Sequence, residues 1–195
     1  RPSERAPVER TPVQHAVVLG DGGWGTTLAL LLARRGVSVA LWSPFLEQSR
    51  ELAQTHENRR FLPGVRLPDS IVFTADPFAA TQKAELAVSV IPTQYLRASL
   101  EKFEDALAGT VPVVSATKGL EMETLRRPSE IITSVLGERP VCVLSGPSHA
   151  EEIAQGLPTT VVLAGRDDAV QRRLQDALTT PTLRIYRNQD LCGTE

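Results

Sequence analysis

The residues of this chain best suited to chemistry stand six in a row: Gly20-Asp21-Gly22-Gly23-Trp24-Gly25. They fit the pattern G-x-G-x-x-G. A short apolar run, 16–19, leads into them and a helix-like pattern, 26–35, leads out. In that setting each glycine has a physical reason. Gly20 permits a tight turn, Gly22 lets the backbone approach a pyrophosphate, and Gly25 lets the helix pack closely on the strand. Free backbone N–H groups at the helix start, aided by the helix dipole, then face the anion. Without a ligand the same residues would be only a glycine-rich turn. Trp24 is open between packing beside the loop and covering a bound cofactor.

Lys118 is the second candidate. It follows an apolar run, 111–116, and precedes Gly119. That places it at the carboxyl end of a parallel strand, where open sheets bind ligands. Its ammonium suits a phosphate or hydroxyl oxygen. Only Lys83, Lys102 and Lys118 among the 21 basic residues are lysine, and the first two lie on polar, surface-like stretches. The next run, 141–144, ends in Ser145-Gly146-Pro147-Ser148-His149-Ala150-Glu151-Glu152. Its small residues let the backbone come close to a ligand. Ser148 also suits a helix cap, with Glu151 as the partner of a capping box. A lone histidine is more often structural than reactive, so His149 is not assigned a catalytic role. Ile91-Pro92-Thr93 forms a third strand-end loop, expected beside the cofactor, with Thr93 as a cap.

A carboxylate about 20 residues after the glycine loop would accept from the ribose 2′-hydroxyl of NAD. Here the second strand ends Leu41-Trp42-Ser43-Pro44, and Glu47 falls inside the following helix. The missing acid removes repulsion against a 2′-phosphate, which leans the reading toward NADP. Ser43 can donate to either group. Arg50, Arg59 and Arg60 are the cations in range of a phosphate.

These residues need a scaffold that brings strand ends together. Strand-like runs at 16–19, 37–42, 71–74, 86–90, 111–116, 141–144, 160–164 and 183–186 alternate with helix-like runs at 26–35, 45–56, 94–107, 129–136 and 168–178. Alternation of this kind implies right-handed crossovers and a sheet covered on both faces. The strands read as continuous apolar runs, as doubly buried strands do. The expected fold is α/β, a Rossmann-like doubly wound, mainly parallel sheet. Residues 57–70, with two prolines and a glycine, read as the longest loop. Residues 1–14 read as a flexible lead-in without the apolar core of a signal peptide. Residues 15–190 form the expected dinucleotide-binding domain, and 191–195 start a connection onward.

Composition sets the outer bounds. The chain has 195 residues, a net charge of −2, 42% hydrophobic and 23% charged content. That is an ordinary soluble composition, long enough to bury about 70% of the unfolded surface. No apolar stretch reaches the roughly 18 residues of a membrane span. The near-neutral charge argues against nucleic-acid binding. Cys142 and Cys192 are far apart, so neither a disulfide framework nor a metal site is expected.

The motifs together resemble those of the NAD(P)-dependent glycerol-3-phosphate dehydrogenases, bacterial type. The resemblance is carried by 20–29 (GDGGWGTTLA), 58–64 (NRRFLPG), 91–93 with Leu96 and Arg97, 116–121 (ATKGLE) and 144–152 (LSGPSHAEE). It covers 15–195. It implies that the family's reaction applies: hydride transfer between dihydroxyacetone phosphate and sn-glycerol 3-phosphate, feeding glycerophospholipid synthesis. It implies a cytoplasmic homodimer acting on a small phosphate ester. It implies that Gly23, Trp24 and Ala150 contact the cofactor, that Lys118 touches cofactor and substrate, and that Gly146 and Ser148 hold substrate. The family carries serine where Gly23 stands. Many members carry arginine just after the second strand, where Ser43-Pro44 departs, and that counts against NADP. The family's helical substrate domain, with its proton-donating lysine, lies beyond Glu195. No catalytic residue is therefore expected within this chain, and the chain alone is expected to bind cofactor but turn over poorly. A hydroxy-acid or hydroxyacyl dehydrogenase of similar build, and a non-catalytic nucleotide sensor, are the alternatives. The order of the Lys118 and Ser148 loops argues against the first.

Overall fold

The computed structural model describes residues 12–147 and 149–195. The expected position of Ser148 therefore lies outside the described residues, as does most of the 1–14 lead-in. Strands β1 (His15–Leu19), β2 (Ser38–Trp42), β3 (Glu57–Asn58), β4 (Leu62–Arg66), β5 (Ile71–Thr74), β6 (Leu86–Ser89), β7 (Val113–Ser115), β8 (Val141–Ser145), β9 (Thr159–Gly165) and β10 (Leu183–Asn188) alternate with helices. The helices are α1 (Gly23–Arg34), α2 (Leu46–Thr55), α3 (Pro77–Thr81), α4 (Thr93–Leu100), α5 (Pro128–Leu136), α6 (Ala150–Ala154), α7 (Asp168–Leu178) and α8 (Leu191–Thr194). Eight strands form one sheet in the order β10-β9-β8-β7-β6-β1-β2-β5.

The sheet is mainly parallel, as the apolar runs predict. One pair departs: β8 and β9 run antiparallel. Between them stands α6, of five residues, which rises only about 7.5 Å. Helix length alone does not force the reversal, since α3 is equally short and lies on the crossover from β5 to β6, both parallel members of the sheet.

Burial on both faces explains the runs. Within β1, Ala16 and Val18 join a core with α1, α6 and α7, while Val17 and Leu19 join another with α4 and α5. Helix α1 is buried along 25–32, so it sits inside the domain rather than on its surface. At the far end of the sheet, Asp167 caps α7 by accepting from the N–H groups of Ala169 and Val170.

The segment expected as a loop, 57–70, is partly a hairpin. β3 and β4 pair antiparallel, and Asn58, Leu62 and Leu67 are buried. Asn58 ties the hairpin to the glycine loop, donating to the Asp21 carbonyl at 2.7 Å and to the Thr26 hydroxyl at 2.8 Å.

Candidate dinucleotide site

The parallel register brings the ends of β1, β6, β7 and β8 to one edge. Leu19 pairs with Ser89, Ser89 with Ser115, and Ser115 with Val143. From β1 the chain crosses to β2 on one side, while β6 and β7 lie on the other. The crevice at that reversal is where doubly wound sheets take ligands.

Helix α1 starts at Gly23, three residues earlier than the pattern predicts, with Gly22 as its cap residue. Gly23, Trp24 and Gly25 are thus its first turn, not a loop before it. No side chain caps this end and no acid stands in its first turn. Its first N–H groups therefore lack a side-chain acceptor. A Cβ on Gly22 would meet no atom within 4 Å, so space lies open in front of those groups. Both observations fit the pyrophosphate of a dinucleotide.

The other glycines are explained by close packing. Gly20 has φ +114°, and its N–H donates to the Trp42 carbonyl at 3.0 Å. A Cβ on Gly25 would run into the Gly20 carbonyl oxygen, so only glycine lets α1 sit so near β1. A Cβ on Gly23 would lie 2.7 Å from the Phe61 carbonyl oxygen. The hairpin backbone thus fills the space that the family's serine would need.

Several candidate residues converge on the same edge. Thr27 donates to the Ala150 carbonyl at 3.1 Å, holding α6 beside α1. The Ala150 methyl lies 3.5 Å from where a Gly23 Cβ would stand. Lys118 is exposed, and its ammonium donates to the Gly146 carbonyl at 3.2 Å. It has no carboxylate partner among the described residues. Pro92 is exposed and precedes α4 as its cap residue. Thr93 is the first residue of α4, not its cap, and its hydroxyl donates to the Lys118 carbonyl at 2.6 Å. Trp24 is partly buried against the α1 core, so packing is at least one of its roles.

The Lys118 loop is pinned a second time. Arg97 on α4 makes a two-pronged pair with Glu121, at 2.8 Å for each oxygen. Thr124 also donates to Glu121. Arg97, and then Thr124, hold the Glu121 carboxyl down to about 2.

The cap residue of α6 is His149, with no side-chain cap bond, while Ser148 of the expected capping box lies outside the described residues. Ser43 does stand at the end of β2, but it is fully buried. Its hydroxyl accepts from the Phe45 N–H at 3.2 Å and hydrogen-bonds the Asp21 carboxyl. Asp21 is the residue that pattern reading overlooked. It is 6% exposed, and its Oδ2 has no hydrogen-bond partner. Burial raises its pKa, while the Ser43 hydrogen bond and the Arg60 charge oppose that rise. Of the three arginines in question, Arg50 pairs with Glu47 and Arg59 with Glu57. Arg60 stacks on the Phe61 ring at 4.9 Å.

Burial pushes the Cys142 thiol up to about 12, far from a reactive thiolate. Among the described residues no group of three or more metal-ligating side chains occurs. A groove of about 840 Å3 along α5, bordered by Arg126, Arg139 and Arg166, contains none of the glycine-loop residues.

The family model for the NAD-dependent glycerol-3-phosphate dehydrogenase N-terminus matches residues 15–171. The chain belongs to this family. A glycerol-3-phosphate dehydrogenase [NAD(P)+] of Chlorobium phaeobacteroides is 45% identical over 181 residues, covering 91% of this chain and 54% of that protein. One of Moorella thermoacetica is 45% identical over 178 residues, covering 91% and 53%. The crystal structure of glycerol-3-phosphate dehydrogenase from Coxiella burnetii superposes with a TM-score of 0.88 at 31% identity, covering 93% of this chain and 55% of that one. The chain thus spans about half the length of these glycerol-3-phosphate dehydrogenases. Their common part with it includes the glycine loop, the Lys118 loop and the Gly146 loop.

Proposed function

We propose that this chain is the cofactor-binding part of an NAD(P)-dependent enzyme that interconverts dihydroxyacetone phosphate and sn-glycerol 3-phosphate. The carrying observation is the uncapped start of α1 at Gly22, with open space before it, on the sheet edge that also carries the Lys118 and Gly146 loops. The product would feed glycerophospholipid synthesis. The named relatives and the family match support the substrate class.

In this reading Gly20, Gly22, Gly23 and Gly25 let the backbone N–H groups of α1 reach the pyrophosphate. Trp24, Pro92 and Ala150 line the cofactor's path along the strand ends. The bound nicotinamide would supply the hydride that reduces the ketone carbon. Lys118 would exchange its weak contact with the Gly146 carbonyl for the substrate, binding its phosphate or carbonyl oxygen. Gly146 and Ser148 would hold the substrate from the neighbouring loop. Proton delivery to the new hydroxyl is not assigned to any residue here. In this reading Lys118 has a binding role, and the family resemblance assigns proton donation to a lysine of the helical substrate domain. The 195-residue chain by itself is therefore expected to bind cofactor and to be a poor catalyst. The enzyme would act as a cytoplasmic homodimer.

The test is a pair of assays. Fluorescence titration should show saturable binding of a reduced nicotinamide cofactor to the chain. Steady-state oxidation of that cofactor by dihydroxyacetone phosphate should require a protein of the relatives' full length. A chain that binds neither NADH nor NADPH would contradict the proposal.

A further inference from the structure

A feature of the glycine loop goes beyond pyrophosphate binding. Asp21 occupies its second position, and parallel pairing of β1 with β2 sets Leu19 opposite Trp42. Gly20 therefore falls opposite Ser43, and Asp21 lies just past it. The Asp21 backbone is clamped, since its carbonyl accepts from Asn58 at 2.7 Å and from Thr26 at 3.3 Å. Its carboxyl turns to the buried Ser43 hydroxyl. One carboxyl oxygen is left without a partner although the residue is 6% exposed. An unpaired buried carboxylate oxygen is destabilising, and folding alone gives no reason for it.

The end of β2 is where dinucleotide folds place the acid that accepts the adenosine ribose 2′-hydroxyl. No acid of β2 stands there. We propose that Asp21 supplies that carboxylate from the glycine loop, making it the residue that selects NAD(H) over NADP(H). The unpaired oxygen is the acceptor for the 2′-hydroxyl, reached by a small turn of the side chain. The same negative charge repels a 2′-phosphate. Absence of an acid at β2 favours NADP only if nothing replaces it, and the fold replaces it. Arg60 is the opposing group: it lies near enough for its charge to act on Asp21, and it would be the cation to hold a 2′-phosphate.

This inference rests on the dinucleotide reading of the site. The experiment is fluorescence titration of the chain with NADH and NADPH side by side, for wild type, Asp21→Asn and Arg60→Ala. Wild type should bind NADH about tenfold more tightly than NADPH. Asp21→Asn keeps the size and a hydrogen bond to Ser43, so it should narrow that ratio at least threefold, chiefly by tightening NADPH. Arg60→Ala should leave NADH preferred. A purely structural role for Asp21 would weaken both cofactors together and leave the ratio unchanged, which would overturn the proposal. Wild-type preference for NADPH, lost in Arg60→Ala, would overturn it even if Asp21→Asn fails to fold. Failure of wild type to bind either cofactor would overturn the dinucleotide reading and this one with it.

Discussion

Single residues decide how close ligand and backbone can come. Gly23 shows this most sharply, because the Phe61 carbonyl oxygen occupies the place of its missing Cβ. Gly23→Ser should force the hairpin off the glycine loop and destabilise the fold by about 1–3 kcal/mol, as overpacking does. Denaturant melts would measure it, and an unchanged midpoint would show that the hairpin yields freely. Lys118 makes the opposite point. Its ammonium contacts a carbonyl at the exposed edge, so removing it should leave stability intact. In a protein of the relatives' full length, Lys118→Ala should raise the KM for dihydroxyacetone phosphate by about tenfold or more, as loss of a charged contact does. Unchanged kinetics would remove Lys118 from the site. The glycines and Lys118 were legible in sequence because their spacing is local. The Asp21–Ser43 contact was not, since it depends on how two strands pair. The signal was present all the same: an acid inside the glycine loop, and none at the strand end beside it.

Elements explain which parts of the fold could be read in advance. The central strands of the main sheet announce themselves because burial on both faces leaves unbroken apolar runs, while the edge strands β5 and β10 are buried on one face only. The β3–β4 hairpin does not, since Pro63, Gly64 and its arginines look like a loop, and its order comes from Asn58 gripping the glycine loop. Helix α6 is too short to show a period, and nothing in its residues signals that β9 pairs antiparallel with β8. The contact between α4 and the Lys118 loop is also an element-scale device. Arg97 and Thr124 hold the Glu121 carboxyl down to about 2, below its ordinary 4.5. A depressed carboxyl stabilises the fold fully above its ordinary value and loses that contribution as pH falls toward 2. The difference in Tm between wild type and Glu121→Gln should therefore be largest above about pH 5 and close as pH approaches 2. Thermal melts across that range would check it, and a difference independent of pH would break the account.

At the scale of the whole molecule, 195 residues of ordinary soluble composition become one doubly wound sheet with its loops gathered at one edge. The chain matches about half of each relative, and the family match over 15–171 includes the glycine, Lys118 and Gly146 loops. Among the described residues no helix is long and apolar enough to cross a membrane. The central claim is that the start of α1 at Gly22 receives a dinucleotide. Gly22→Val tests it cleanly, because its φ of −64° suits any residue and a Cβ there meets no protein atom within 4 Å. The variant should melt at the wild-type temperature, yet its branched side chain should stand where the pyrophosphate must lie. Titration with NADH should show saturable binding to wild type and at least about tenfold weaker binding to Gly22→Val, the scale of a lost anion site. Equal affinity in a fully folded variant would contradict the account.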